Sequence, residues 1–142
     1  IRGCGPVGYP GSAEVVNMQP PDNLIREGIL ELPTLGDGRQ SGTSGSPSIL
    51  NVSPESAIGG GLALLQTGDM LRIDLNQCTI DVLLKKNELQ KRRELSHLNE
   101  IKNQTPWQEI YRNTVGQLSG GGIIELAEKY KKIRHTIPRH SH

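Results

Sequence analysis

Phenylalanine is absent from this 142-residue chain, and only three Tyr and one Trp supply aromatic surface. A core without large rings must be assembled from Ile, Leu, Val and Ala, which favours a sheet-rich interior over an aromatic-centred one. Cysteine is nearly absent too. Cys4 and Cys78 are too few and too isolated for a thiolate metal or iron–sulfur set, and two cysteines make no secreted disulfide framework. Reduced thiols in a cytoplasmic setting are the expectation. No apolar run approaches the ~18 residues that span a bilayer, and no signal peptide is visible, so no membrane partner is expected. Charge of one sign is missing as well: 16 Lys plus Arg against 15 Asp plus Glu leave a formal net charge of +1. That balance removes any global electrostatic case for nucleic acid. Basic residues gather only locally, at Lys85-Lys86, Lys91-Arg92-Arg93, Lys129, Lys131-Lys132 and Arg134, and read as solvated helix faces.

What the chain has in quantity is turn chemistry, with 17 Gly and nine Pro. Its length fits one domain that buries roughly two-thirds of its unfolded surface. The stretch from Leu35 to Ser48 carries four glycines and four serines in fourteen residues and is read as a loop rather than core. Apolar runs lead in (Ile29-Leu30, Leu32, Leu35) and out (Ile49-Leu50, Val52), so the loop is expected to join two strands at a sheet edge. Such a loop can present hydroxyls and amide N–H groups to a small oxygen-rich anion. Known glycine-rich templates do not fit it. A Walker loop needs a lysine, and none precedes Lys85. A nucleophile elbow needs Gly-x-Ser-x-Gly, which neither Ser41 nor Ser44 satisfies. A Rossmann fingerprint fails on glycine spacing.

A second glycine-rich loop runs from Gly3 to Ser12, and Glu14 follows at its exit, where a carboxylate serves either as a helix-start residue or as a metal ligand. Pro20-Pro21-Asp22 starts a short helix, Asn23 to Glu27, ended by Gly28. Strands are predicted at Leu30 to Leu35, Ser48 to Val52, Leu62 to Leu65, Met70 to Leu75 and Thr79 to Leu84. A serine-capped helical turn is predicted at Ser53 to Ser56. Alternation in the last two strands makes an antiparallel hairpin with one wet face. Asn87 with Gln90 reads as the capping box of a helix through about Leu98, and Thr105-Pro106-Trp107-Gln108 as a stronger helix start. A last amphipathic helix covers Ile123 to about Ile133. The architecture comes out as a mixed sheet or small barrel of about six to eight strands with flanking helices.

Taken together, the segments Arg2 to Glu14 and Gly36 to Thr43 resemble the two signature segments of the carboxyl-terminal domain of the dihydroxy-acid dehydratase and phosphogluconate dehydratase family. Ser53-Pro54-Glu55, Gly59 to Leu65 and Gly68-Asp69 continue the likeness over nearly the whole chain. Gly8 to Pro20, Gln40, and the extension Gln104 to Glu109 resemble the sugar-acid branch, the arabinonate and xylonate dehydratases. The resemblance implies an α/β fold: a swivelling β/β/α domain, with a mixed, barrel-like sheet in residues 1–100 and a helical C-terminal extension in 101–142. It also implies loss of water from a 2,3-dihydroxy acid to give a 2-keto-3-deoxy acid, with Mg²⁺ and an iron–sulfur cluster of the [2Fe-2S] type as cofactors.

Carried over residue by residue, the likeness makes Glu14 a Mg²⁺ ligand, Ser41 the base at C2 and Thr43 a substrate contact. Asp37 and Arg39 either touch substrate or hold the loop by hydrogen bonds, and His142, in a tail ending Pro-Arg-His-Ser-His, is a weaker substrate-binding candidate. The cluster cysteines, the other Mg²⁺ ligands and a modified lysine belong, in that family, to an amino-terminal domain. The chain opens on Ile1 rather than methionine and is expected to be a piece of a longer protein, inactive alone. Its expected partners are that amino-terminal domain, a sugar acid, and further copies in a dimer or tetramer. Two alternatives stand beside this reading: a dehydratase acting on the branched-chain precursor or on phosphogluconate, and a non-catalytic module whose glycine loops bind a small anion.

Overall fold

Glycine and proline interrupt this chain so often that no strand among the described residues exceeds four residues. The structure, a computed structural model, describes residues 1–9, 14–15, 20–40, 47–96 and 101–135, with the backbone alone at 14–15, 40 and 131–135. Its strands are β1 (Glu14–Val15), β2 (Thr34–Leu35), β3 (Arg39–Gln40), β4 (Ser48–Ile49), β5 (Leu71–Asp74) and β6 (Thr79–Val82). They form three separate pairs: β1 with β3 and β2 with β4, both parallel, and β5 with β6, antiparallel. A small α/β architecture is therefore observed, but no closed barrel among the described residues. Closure needs each strand to pair on both sides, and among the described residues each strand has one neighbour.

The flanks of the central loop do pair, as expected of a loop joining two strands. Thr34 stands opposite Ser48 and Leu35 opposite Ile49. Beyond the strands two crossing bonds tie the same segments together, the Val52 amide donating to the Gly36 carbonyl and the Asn51 amide to the Gly38 carbonyl, both at 3.0 Å, with Asn51 at φ 60°. The reading of the whole stretch as non-core fails at its start, because Gly36, Asp37 and Gly38 are buried.

The expected antiparallel hairpin forms, with Leu71 opposite Val82 and Ile73 opposite Ile80. Its wet face carries the directly paired Arg72 and Asp81, 2.9 Å apart. Ile73 and Ile80 line a cleft of about 400 Å³ facing Ile49, Leu50 and Val52 of the β4 segment. The predicted strand Leu62 to Leu65 is instead a 3₁₀ turn, Gly61–Leu64. The Arg2 guanidinium donates to the carbonyls of Leu62 (3.1 Å), Ala63 (3.3 Å) and Leu65 (3.0 Å), which gives the end of that turn the partners a neighbouring strand would have supplied.

Helix α1 (Asp22–Arg26) ends as expected, with Gly28 at φ 84°. Helix α2 (Lys86–Leu95) forms without the expected capping box: the Asn87 Oδ1 accepts from the adjacent Glu88 amide, and Gln90 bonds Glu94. Helix α3 (Pro106–Thr114) starts as predicted, Thr105 accepting from the Gln108 amide with Pro106 first in the helix. The final segment, Glu125–His135, is 3₁₀ rather than α-helical. Arg92 departs from the solvated-face reading of its basic run. Its guanidinium grips both Asp69 carboxylate oxygens (2.6 and 3.1 Å), Glu88 (3.0 Å) and the Leu64 carbonyl (3.1 Å), docking α2 on the turn that precedes the hairpin. No helix of the described residues is long and apolar enough to cross a membrane.

Candidate functional site

Both glycine-rich loops converge on two carboxylates that are almost entirely out of solvent, Asp37 (0% exposed) and Glu55 (1%). A buried carboxylate persists only where donors surround it, and here the donors are amides of the first loop together with Ser56 and Gln117. Asp37 accepts from the amides of Gly3 (3.1 Å), Cys4 (3.0 Å) and Ser56 (2.8 Å) and from the Ser56 hydroxyl (2.7 Å). Burial pushes its carboxyl upward, but the Ser56 hydroxyl and amide, with the Cys4 and Gly3 amides, outweigh it and hold the group below the usual carboxylate range.

Glu55 accepts from the amides of Val7 (2.9 Å) and Gly8 (2.8 Å) and from the Gln117 side-chain amide (2.8 Å). Gln117 in turn accepts from the Glu55 backbone amide at 2.8 Å. Gly5 lies so close to Glu55 that a Cβ there would overlap the Glu55 side chain, which is why glycine is needed at this point of the loop. Four amides of the first loop, at Gly3, Cys4, Val7 and Gly8, are thus bonded to the protein's own carboxylates. They are not free to cradle an external anion.

Of the residues singled out from sequence, the structure brings two together by backbone. Glu14 in β1 stands directly opposite Arg39 in β3, and Val15 opposite Gln40. This parallel pairing sets the exit of the first loop beside the entry of the second, two residues before Ser41. The Arg39 side chain is exposed. Ser41, Thr43 and His142 lie outside the described residues. Asp37 makes the loop-holding bonds that were one of its two sequence readings. Glu55 was read as part of a helical turn, Ser53 to Ser56, and of the Ser53-Pro54-Glu55 stretch that continues the family likeness, with no role of its own. The turn begins one residue past Glu55, at Ser56–Ile58, without a side-chain cap, and Glu55 precedes it as the second anchor. The signals for it in sequence were its place in that family stretch and an acidic residue inside a Pro- and Gly-bounded turn.

The donor set bears on the cofactors. The chain's two thiols are free, Cys4 half-buried and Cys78 exposed. Burial first, then the Asp37 charge, pushes the Cys4 thiol up, away from the thiolate a metal would require. Among the described residues no three His, Cys, Asp or Glu side chains gather as a metal-ligand set. These residues do not fit an iron–sulfur cluster, and they do not complete a Mg²⁺ site by themselves.

Residues 1–122 match the family described as dihydroxy-acid/6-phosphogluconate dehydratase, C-terminal. The chain is 58% identical over all its 142 residues to D-xylonate dehydratase of Caulobacter vibrioides, covering 24% of that protein. It is 40% identical over 126 residues, 89% of the chain, to L-arabonate dehydratase of Azospirillum brasilense, covering 20% of it. To dihydroxy-acid dehydratase of Clostridium beijerinckii it is 36% identical over 127 residues, 89% of the chain and 22% of the relative. The chain spans about a quarter or less of the length of these curated relatives. With its two glycine loops locked together by buried carboxylates and a match over residues 1–122, the chain belongs to the dihydroxy-acid/6-phosphogluconate dehydratase family, in the region of its C-terminal domain.

Proposed function

We propose that this chain is the C-terminal part of a sugar-acid dehydratase that converts an aldonate to its 2-keto-3-deoxy acid. In this reading Ser41 is the base and Glu14 is one oxygen ligand of Mg²⁺, and an amino-terminal domain carries the cluster and the remaining ligands. The observation that carries the reading is the parallel pairing of β1 with β3, Glu14 opposite Arg39, which draws the two signature loops to one edge. The xylonate and arabonate dehydratases among the relatives support the sugar-acid branch. The anion-module alternative is disfavoured because the first loop's amides already have internal partners.

The chain's own residues divide the work. The Asp37 and Glu55 anchors hold the first loop at Gly3, Cys4, Val7 and Gly8, and Glu14 and Ser41 are assigned the chemistry. Ser41 as alkoxide takes the proton from C2, the C3 hydroxyl departs with a proton as water, and the resulting enol becomes the 2-keto product. Thr43, Arg39 and His142 are assigned to contacts with the substrate. When bound, the metal centres supply the positive charge that eases both proton removal and hydroxyl departure. The protein works as a homo-oligomer.

The test is turnover by the full-length protein, loaded with cluster and Mg²⁺, of C5 and C6 aldonic acids beside dihydroxyisovalerate. Keto acid is expected from an aldonate, falling by about 10²–10⁴-fold in Ser41→Ala. Preference for dihydroxyisovalerate would refute the branch, and unchanged turnover in Ser41→Ala would refute the base. The isolated 142-residue chain is expected to be inactive.

A further inference from the structure

The Val7 peptide is gripped from both sides. Its N–H donates to Glu55, and its carbonyl accepts from the Arg112 Nε of α3 at 2.9 Å. Arg112 is itself held by the Lys102 carbonyl and the Asn103 side chain. Gln117, three residues past the end of α3, completes the grip on Glu55 with a reciprocal pair of 2.8 Å bonds. Gln117 sits in a closed reversal. The Gly116 amide donates to the Ile123 carbonyl, the Gly122 amide donates to the Gln117 carbonyl, and Val115 bridges Ile124. Side chains from the C-terminal segment thus hold the first loop at Val7, directly through Arg112 and by way of Glu55 through Gln117, with Gly8 six residues before Glu14.

We propose that Glu55, braced by Gln117, is a positioning residue of the dehydratase site: it sets the exit of the first glycine loop and so the place of Glu14 opposite Arg39. The inference rests on the reading of Glu14 and Ser41 given above, and extends it to the C-terminal segment. Neither Glu55 nor Gln117 touches substrate in this account. Their effect runs through loop geometry, where a displacement of about 1 Å at a site can cost up to about a hundredfold in rate.

Gln117→Glu in the full-length protein isolates the brace. The substitution keeps the acceptor for the Glu55 amide and removes the donor to the Glu55 carboxylate. Two carboxylates then face each other and can bond only by sharing a proton, so one of them titrates well above its ordinary range. The other ionisable groups tied into this network, among the described residues, are Asp37 through Ser56, Cys4 through Asp37, and Arg112 through Val7.

Two readouts are expected. Exchange of the Val7 and Gly8 amides rises at least about tenfold at pH 8. The kcat for the aldonate falls about tenfold with KM within about twofold, and the variant-to-wild-type ratio climbs towards one by pH 6. Gln117→Ala gives the same losses with a ratio that does not recover in acid. Unchanged exchange, unchanged kcat at pH 8, or a flat ratio in Gln117→Glu would overturn the proposal. Should Gln117→Glu fail to fold, Gln117→Ala carries the exchange and the kcat-against-KM readouts at pH 8 with the same criteria. A wild-type protein inactive on every aldonate would overturn the proposed function, whereas unchanged variant kinetics in an active enzyme would overturn only this inference.

Discussion

Replacing Asp37 by Asn tests whether the glycine loops are locked by internal charge. Asp37 accepts four bonds, one at Oδ1 from Cys4 and three at Oδ2 from Gly3 and Ser56. Asparagine does least harm with its NH₂ at the Oδ1 position, where it meets the Cys4 N–H donor to donor. One charge-assisted bond, about 1.5–3 kcal/mol, is then lost and the other three weaken to neutral strength. Relief from burying a charge returns part of this. The net loss is about 2–4 kcal/mol, or roughly 30- to 700-fold faster opening at 1.4 kcal/mol per decade.

Hydrogen exchange of peptides covering residues 1–9 and 52–60 in the full-length protein reads this directly, with Asp81→Asn, in the exposed hairpin pair, as the control expected to leave both peptides unchanged. The carboxyl of Asp37 lies below its ordinary value in the folded state. Its contribution is therefore complete above about pH 4, near the unfolded carboxylate value, and disappears as pH falls through the lowered folded value. The difference between wild type and variant should shrink over that range. Exchange within about threefold of wild type at neutral pH, or a difference that persists in acid, would refute the locking role.

Gly5→Ala places a Cβ inside the Glu55 side chain and is expected to cost about 1–3 kcal/mol in the stability of residues 1–9, read by the same exchange. A variant as protected as wild type would show that the loop can shift without losing Glu55. Arg92→Met removes the guanidinium that bonds both Asp69 oxygens and leaves that carboxylate without its cation. Release of α2, seen as faster exchange across residues 85–95 and a lowered melting temperature, is expected. An unshifted melting temperature with unchanged α2 exchange would show that the helix is docked by apolar contacts alone.

Local signals carried far in this chain where they needed no distant partner. The Thr105 cap with Pro106, the stop at Gly28, and the alternation that marks an antiparallel hairpin are all written within a few residues of the structure they produce. Signals that depended on a neighbour misled. Leu62 to Leu65 has strand composition, yet Arg2, sixty residues away, satisfies its carbonyls as a 3₁₀ turn. Arg92 sits in a basic run that looks solvated, and only the docking of α2 puts Asp69 within its reach.

At the site the division is the same. The sequence alone, through its two glycine-rich segments, pointed to the family, to Glu14 and Ser41 as the residues to test, and to a loop rich in polar donors. Whether the amides of the first loop faced a ligand or the protein was not written locally, because hydrogen-bond partners 33 to 62 residues apart are chosen by how the chain packs. The tertiary structure decided that Asp37 and Glu55 take the amides of the first loop, that Gln117 braces Glu55, and that β1 lies parallel to β3. A carboxylate in sequence is an exposed charge by default. It becomes an internal anchor only when folding removes its water and surrounds it with N–H groups from elsewhere in the chain.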